Sequence, residues 1–569
     1  MSRRTVLAAA GAAPALPYIL PANASETESA GSQGKATSQP KGPPYNVILI
    51  ITDEESRSLR PAEGYHLPAR EELLRRGTSF DNHYIGAAMC TPSRGVMFSG
   101  QPPQVNGIFD QMELGYVPDL SKAHPSMGTL FKQLGYETAY FGKFELEKSI
   151  IAPKDSVNYS TALKDYGFDR FAADGDKVGA PDQGYQVDSF TAAEAIRWLR
   201  SDAQRINAEG KPWLLVVSFV SPHDVMYADV SQPGEPEQVS LVGQTINPPP
   251  ANSLFRQGWS FDPSPSALEP LDARGRPHAQ KTFQEGWSAF LGAIPTNAAA
   301  MWNDYYNYYL NLIQDNDRTL QGLLDSLSDL GLWDSTAVLR TADHGELGGA
   351  HGGLRGKGPL PYEEQSHVPA VIVHPAHPGG RHCKALTSHI DLLPTLIGLT
   401  GAPKEKRDTL LKGLPGRDAT PLLDDPESAK ADQLRPAVLF NYVGIQTIDA
   451  NYMVRAYTAI AKGGWAPPLS EVKPDLSNRG FINFVFDGRY KFARYFSPLL
   501  LEVPESYEAL QAHYELELFD LEADPNEVDN LALKSESRAL LMQMNQLLNS
   551  MLEREVGPPT HSYFPKGLL

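Results

Sequence analysis

The sequence predicts an α/β protein, with a doubly wound, mostly parallel sheet flanked by helices and a smaller C-terminal α+β part containing an antiparallel sheet. Three observations in its 569 residues predict this. Continuous apolar runs of strand length alternate with segments of helical spacing, the pattern of parallel sheets covered on both faces. Four of those runs lead into residues able to do chemistry, Asp53, Lys143, His223 and Asp343-His344. Ligands of such sheets bind beyond the carboxyl ends of the strands. Past about residue 430 the alternation gives way to hairpin signals.

The chain opens on "MSRRTVLAAAGAAPALPYILPANAS", with Arg3-Arg4, a short Ala/Leu run and the small-residue site Ala22-Asn23-Ala24. The run is too short and too broken by proline to span a bilayer. Residues 1–24 therefore read as an export signal of the twin-arginine type, with an ordinary secretory signal as the alternative. The expected location is periplasmic or secreted, without stable membrane insertion. Residues 25–44, rich in Ser, Gly, Thr and Pro, read as a disordered spacer.

"NVILIIT" (46–52) is a buried parallel strand that stops at Asp53. "HLPAREELLRRG" is a helix closed by Gly77, and "SMGTLFKQLG" another, with Ser126 as N-cap and Gly135 after its end. "TAYFG" then leads to Lys143, and "WLLVVSF" (213–219) to Ser221-Pro222-His223. Apolar residues at 306, 309, 310 and 313, then 320, 323, 324, 327 and 330, keep helical spacing. "TAVLRTA" (336–342) is a strand ending at Asp343-His344, and "VPAVIV" (368–373) and "HIDLLPTLIGLTG" complete the alternation. A catalytic α/β domain is expected over 45–430 and a subdomain over 431–569, where "GFINFVFDGRYKFARYF" turns at Asp487-Gly488 and a last helix covers roughly 534–553. Residues 224–301, rich in Pro, Gly and Ser and carrying Trp259, Phe261 and Trp287, read as a long insertion acting as a lid or substrate-shaping loop, or as surface decoration.

Fifty basic and 68 acidic residues give a formal charge of −18, a field that repels nucleic acid and acidic membranes. An anionic substrate then needs a local cluster of cations or a metal. There are two cysteines, Cys90 and Cys383, too few and too far apart for a disulfide framework. Cys90 stands in "AAMCTPSRGVMFSG", where Pro92 suits the first position of a helix. The sulfur would lie just before a helix N-terminus, whose free N–H groups favour an anion. Arg94 adds a positive fork suited to tetrahedral oxyanions.

The order Cys90-Thr91-Pro92-Ser93-Arg94 resembles the signature of the type I sulfatases of the alkaline phosphatase superfamily. "NVILIITDEE", "LGYETAYFGKF", "TADHGELGGAHGGLRGKG", "PYEEQSHVPAVI", "HIDLLPTLIGLTGAP" and "ELFDLEADPNEVDNLA" resemble further landmarks of that family in the same order. The resemblance implies a sulfuric ester hydrolase acting on a small sulfated substrate, an aryl, sugar or other alcohol sulfate. It implies that Cys90 is oxidised to formylglycine (3-oxoalanine) by a formylglycine-generating enzyme before export. Its hydrated form is the nucleophile, because a geminal diol can expel sulfate by collapsing to the aldehyde. It implies Asp53, Asp343 and His344 as metal ligands, with Glu54 and the modified Cys90 beside them. Such oxygen-rich ligation suits calcium first and magnesium second. Arg94, Lys143, His223 and Lys357 would then surround the sulfate, the lysines neutralising ester oxygens and His223 protonating the leaving oxygen.

Two positions depart from the family pattern. Glu54 stands where aspartate is frequent, and Glu145 stands where a histidine usually follows the lysine by two residues. Glu145 is either the base that assists release of sulfate or a structural salt-bridge partner. Cys383 reads as an inert thiol, and Asp224 and His351 as structural polar contacts. The alternatives are a phosphonate monoester or phosphodiester hydrolase on the same fold, and a non-catalytic protein that binds sulfated ligands.

Overall fold

Eight strands build the larger sheet: β1 (Asn46–Asp53), β2 (Thr78–Tyr84), β3 (Glu137–Gly142), β4 (Arg170–Ala172), β5 (Trp213–Pro222), β6 (Thr336–Ala342), β7 (Ala370–Val373) and β8 (Arg381–Ser388). Four more, β9 (Val438–Tyr442), β10 (Phe481–Phe486), β11 (Tyr490–Phe496) and β12 (Glu515–Asp520), build a second. The computed structural model describes residues 42–58, 63–151, 161–173, 181–260, 263–462, 466, 468–500 and 503–558. The expected export signal, nearly all of the spacer and Phe261 lie outside the described residues.

The larger sheet runs in the order β4-β3-β5-β1-β6-β7-β2-β8. All neighbours pair in parallel except β7, which is antiparallel to both β6 and β2. β1 lies between β5 and β6, and its unbroken apolar sequence follows from burial on both faces. The helices around it that bear on the site are α1 (Pro68–Arg76), α2 (Cys90–Ser99), α3 (Met127–Gln133), α4 (Gln183–Arg200), α5 (His278–Leu291), α6 (Ala299–Asp329) and α7 (Leu392–Leu399). Val47, Leu49 and Ile51 of β1 pack with Phe98, Phe131 and Leu396 of α2, α3 and α7. Ile48 and Ile50 pack on the other face with Leu73, Trp198, Leu323 and Leu327 of α1, α4 and α6. Each such buried side chain contributes about 1.5–3 kcal/mol, so the sheet that carries the site is held from both sides. Ser126 caps α3 as its sequence predicts: its Oγ accepts from the Thr129 N–H, and Thr129 Oγ1 accepts from the Ser126 N–H.

The second sheet is antiparallel throughout, in the order β12-β11-β10-β9. Asp487-Gly488 makes the predicted turn, with Gly488 at φ 103° where a side chain is disfavoured. Two further helices belong to this part, α8 (Ala450–Ala461) and α9 (Arg538–Glu555). Leu541, Met544, Leu548 and Met551 of α9 close its core.

Within the stretch 224–301, the described residues of 228–277 form no strand or helix, and 278–291 form α5. Phe283, Trp287, Phe290 and Leu291 fall on one side of α5 and are buried. α5 packs on α8, with Phe290 stacked on Tyr457 at 4.1 Å between ring centres. A Cβ at Gly286 would stand 2.4 Å from Met453 Sδ, so the two helices approach closely there. Over these residues the insertion is a packed wall instead of a free loop. Among the described residues no helix is long and apolar enough to cross a membrane.

Candidate active site

The ten residues singled out in the sequence converge beyond the carboxyl ends of the central strands. Asp53 ends β1, His223 follows β5, and Asp343 follows β6 with its N–H bonded to the Thr52 carbonyl. Lys143 follows Gly142, where φ is 101° and a Cβ would meet the Ser218 carbonyl oxygen at 1.9 Å. Only glycine allows the chain to leave β3 at that approach. Glu54 and Glu145 are both in the left-handed region, at φ 71° and 58°, a conformation non-glycine residues hold only when the surroundings impose it. Cys90 is the first residue of α2, so Pro92 is the third and not the first as its type suggested. The correction moves the sulfur into the first turn, where N–H groups lack intrahelical partners.

Cys90 Sγ lies 3.1 Å from His344 Nε2 and 3.8 Å from Asp53 Oδ1. Donor atoms of Asp53, Cys90, Asp343 and His344 all fall within 4.8 Å of one another, and Asp53, Glu54 and His223 form a second such group. His344 Nδ1 faces the Gly345 carbonyl at 3.1 Å. That bond takes the ring proton and leaves the Nε2 lone pair aimed at the carboxylates. Arg94 does not open its fork to empty space: Nε meets Asp343 Oδ2 at 2.9 Å and Nη2 meets Asp53 Oδ2 at 3.1 Å. Its Nη1 donates to the Lys143 carbonyl and to Ser218 Oγ. Arg94 thus ties the two aspartates to each other and to the turn after β3. Lys143 Nζ is 2.7 Å from Asp53 Oδ2 and 3.5 Å from Glu145 Oε2. Lys357 Nζ is 2.6 Å from Glu54 Oε2 and 3.5 Å from Met226 Sδ.

Charge in this dry cluster is unevenly shared. Burial works to raise Asp53, but Lys143, His223, His344 and Arg94 outweigh it and hold the carboxyl well below its usual range. Burial and the neighbouring Asp53 push Asp343 up to about 7. Burial, helped by Glu346, raises Glu54 against the pull of Lys357. Burial and Asp53 together raise the Cys90 thiol well above its usual range. His223 is driven well below its usual range by burial and by Lys357 and Lys143. Glu54 Oε1 is buried with no hydrogen-bond partner among the described residues. Three carboxylates, one of them with an orphaned oxygen, and an imidazole lone pair facing them fit a hard divalent cation, which would relieve the crowding of acids.

Several contributors were not legible in the sequence. Ser93 Oγ donates to the Asp343 carbonyl and contacts His389 Nδ1 at 3.1 Å, while His389 Nε2 meets the Ala342 carbonyl at 3.0 Å. Glu346 accepts from the N–H groups of Gly348 and Gly356 and from Tyr305 Oη, fixing the strap that carries Lys357. Its place two residues after His344 was the available signal. Asp224 accepts from the N–H groups of Gln183, Gly184 and Tyr185 and so caps α4. Trp259 stands edge-on to Tyr65 at 5.3 Å and Trp287 packs on Phe283 at 5.1 Å. Cys383 is a buried free thiol in β8, within the core.

A family model described as Sulfatase matches residues 45–402. The N-acetylglucosamine-6-O-sulfatase of Bacteroides thetaiotaomicron is 22% identical over 552 residues, covering 88% of this chain and 85% of that one. An extracellular sulfatase Sulf-1 homologue of Caenorhabditis elegans is 25% identical over 380 residues, 64% of this chain. The match spans about half of that relative's length, 48%. Among solved structures, the phosphonate monoester hydrolase of Agrobacterium radiobacter superposes with a TM-score of 0.61 at 19% identity, over 90% of this chain and 96% of that one.

Proposed function

The chain belongs to the sulfatase family, and we propose that it hydrolyses a sulfate monoester with residue 90 as formylglycine and a divalent cation at Asp53, Glu54, Asp343 and His344. The observation that carries this reading is the state of Cys90 in its setting. Its Sγ faces His344 Nε2 at 3.1 Å and Asp53 Oδ1 at 3.8 Å at the start of α2, and it groups with Asp53, Asp343 and His344 as one cation-sized cluster. Hydrated formylglycine supplies an oxygen nucleophile that can release sulfate without hydrolysis of a stable ester. The cation, calcium before magnesium, supplies positive charge to the ester oxygens.

The chain's own residues do the rest. Lys143 and Lys357 stay charged, because the acids around them outweigh the cost of burial, and they neutralise the oxygens of the incoming ester. Arg94 keeps Asp53 and Asp343 in place through one hydrogen bond to each, and is itself anchored by two more, to the Lys143 carbonyl and Ser218 Oγ. His223 is neutral beside the two lysines. The negative ester offsets those cations, restores the basicity of the imidazole and lets it carry the proton for the leaving oxygen. Glu145, 3.5 Å from Lys143 Nζ, is the base we assign to assisting release of sulfate.

The relative named for N-acetylglucosamine 6-O-sulfate supports sulfated sugars as the first substrate class. Modification by a formylglycine-generating enzyme and export to the periplasm or beyond complete the reading. Mass spectrometry of the peptide containing residue 90, with sulfate release measured on sugar and aryl sulfates, tests it. Turnover by protein whose residue 90 is wholly thiol contradicts it. Faster turnover of an aryl phosphonate than of any sulfate ester supports the phosphonate hydrolase instead.

A further inference from the structure

Arg355 is buried, 5% exposed, and has no carboxylate within ion-pair distance among the described residues. One of its amino groups, Nη2, donates to the Gly292 carbonyl at the C-terminal end of α5. Among the described residues the other, Nη1, has no partner, and neither has the indole Nε1–H of Trp287, a side chain only 3% exposed. Both residues line one partly open cavity of 10 Å³ with Phe283, Gln284, Ser288, Ile294, Gly353 and Leu354. The cavity has room for a single water-sized occupant.

A helix C-terminus offers about half a negative charge, too little for a full guanidinium out of water. Burial lowers Arg355 against Tyr305 and Glu346, and the Glu346 carboxylate already accepts from Tyr305, Gly348 and Gly356. Buried cations left without a counter-charge are costly. Two N–H donors and one net positive charge at a small site suit a small anion.

We propose that the cavity between α5 and the strap 353–357 binds chloride, held by Arg355 Nη1 and Trp287 Nε1. The ion balances Arg355 and fastens the strap that delivers Lys357 to the active site. The inference does not rest on the catalytic reading, since its readouts are occupancy and stability.

Crystals grown in bromide should show an anomalous peak within hydrogen-bond distance of Arg355 Nη1 and Trp287 Nε1. In solution at constant ionic strength, replacing gluconate by chloride or bromide should raise the unfolding midpoint saturably, by about 1–3 °C. Arg355→Met should abolish that rise, and Trp287→Phe, which keeps a smaller aromatic ring and removes the donor, should shift half-saturation about tenfold higher. If Arg355→Met does not fold, the bromide peak and Trp287→Phe decide the matter. Density for water alone with no anomalous signal, or an equal chloride response in Trp287→Phe and the parent, overturns the proposal.

Discussion

Lys357 Nζ stands 2.6 Å from Glu54 Oε2, and both side chains are buried. The lysine that would meet the ester is therefore positioned by the carboxylate at which this chain departs from its family's pattern. One oxygen of Glu54 reaches Lys357, and the other has no hydrogen-bond partner among the described residues.

Glu54→Gln should expose this dependence. It removes the carboxylate that Lys357 contacts, and breaking a buried pair by removing one partner typically costs about 3–5 kcal/mol. Denaturant unfolding of the cation-free protein should show a loss of that order, together with weaker binding of the ester. A midpoint equal to the parent's means that Glu54 is not the group holding Lys357.

Asp343→Asn tests the cation site. The amide keeps the size of the side chain, which accepts from Glu54 N–H at 3.2 Å and from Arg94 at 2.9 Å, but removes its charge. Equilibrium dialysis with elemental analysis should show cation affinity reduced beyond the roughly 10–100-fold that loss of a merely supporting contact causes. Sulfate release should fall with it. Full activity in protein shown to be free of divalent ions rules the site out.

His351 gives a pH-dependent contribution to stability. Its Nε2 is 3.3 Å from Glu364, its Nδ1 is 3.7 Å from Glu269, and its ring stacks on Tyr362 at 3.5 Å. Burial opposes its charge, but Glu364, Glu269 and the more distant Glu527 outweigh burial and push it up to about 9. An unfolded histidine titrates near 6.5, so between those values the folded chain holds the extra proton. The stabilisation is complete below about pH 6.5 and disappears as pH rises through about 9, on the order of 3 kcal/mol at most. His351→Asn, whose side chain tolerates the φ of 52° at this position, should flatten the decline in unfolding free energy across that window. An unchanged slope places the titrating group elsewhere.

What the sequence made legible was whatever depends on short-range pattern. The apolar run before Asp53, the Cys-Thr-Pro-Ser-Arg order and the Asp343-His344 pair are local, and each marks a strand end or helix start that topology then brings together. The contact of Ser93 with His389 joins residues 296 apart, and nothing local to either announces it. Asp224 looks like a companion of His223, yet its carboxylate caps α4; only the packing of α4 on β5 decides between those roles. Proline at 92 marked a helix start correctly but not its first residue, because the helical turn begins with Cys90 itself. The helix 278–291 was masked by the Pro- and Gly-rich chain preceding it, although its own apolar spacing is helical.

Glu145 is the sharpest test of how this site turns over. It is buried, with Oε2 at 3.5 Å from Lys143 Nζ and 4.0 Å from Arg94 Nε. It therefore sits beside Lys143, the group proposed to meet the ester, rather than in a surface ion pair. If it is the base that assists release of sulfate, Glu145→Gln removes basicity while keeping size and hydrogen-bonding capacity. Rapid-mixing experiments should then show a burst of released alcohol, sulfate retained on the protein, and steady turnover slowed by about 10²–10⁴-fold. Glu145→His should recover part of the rate, since histidine is among the residues that tolerate the left-handed backbone found here, φ 58°. A structural ion pair predicts another result: Glu145→Gln loses stability in denaturant, and alcohol and sulfate appear together at the parental rate with no burst. The time course of sulfate against alcohol separates the two roles, because only a base acting after the first bond is broken can uncouple them.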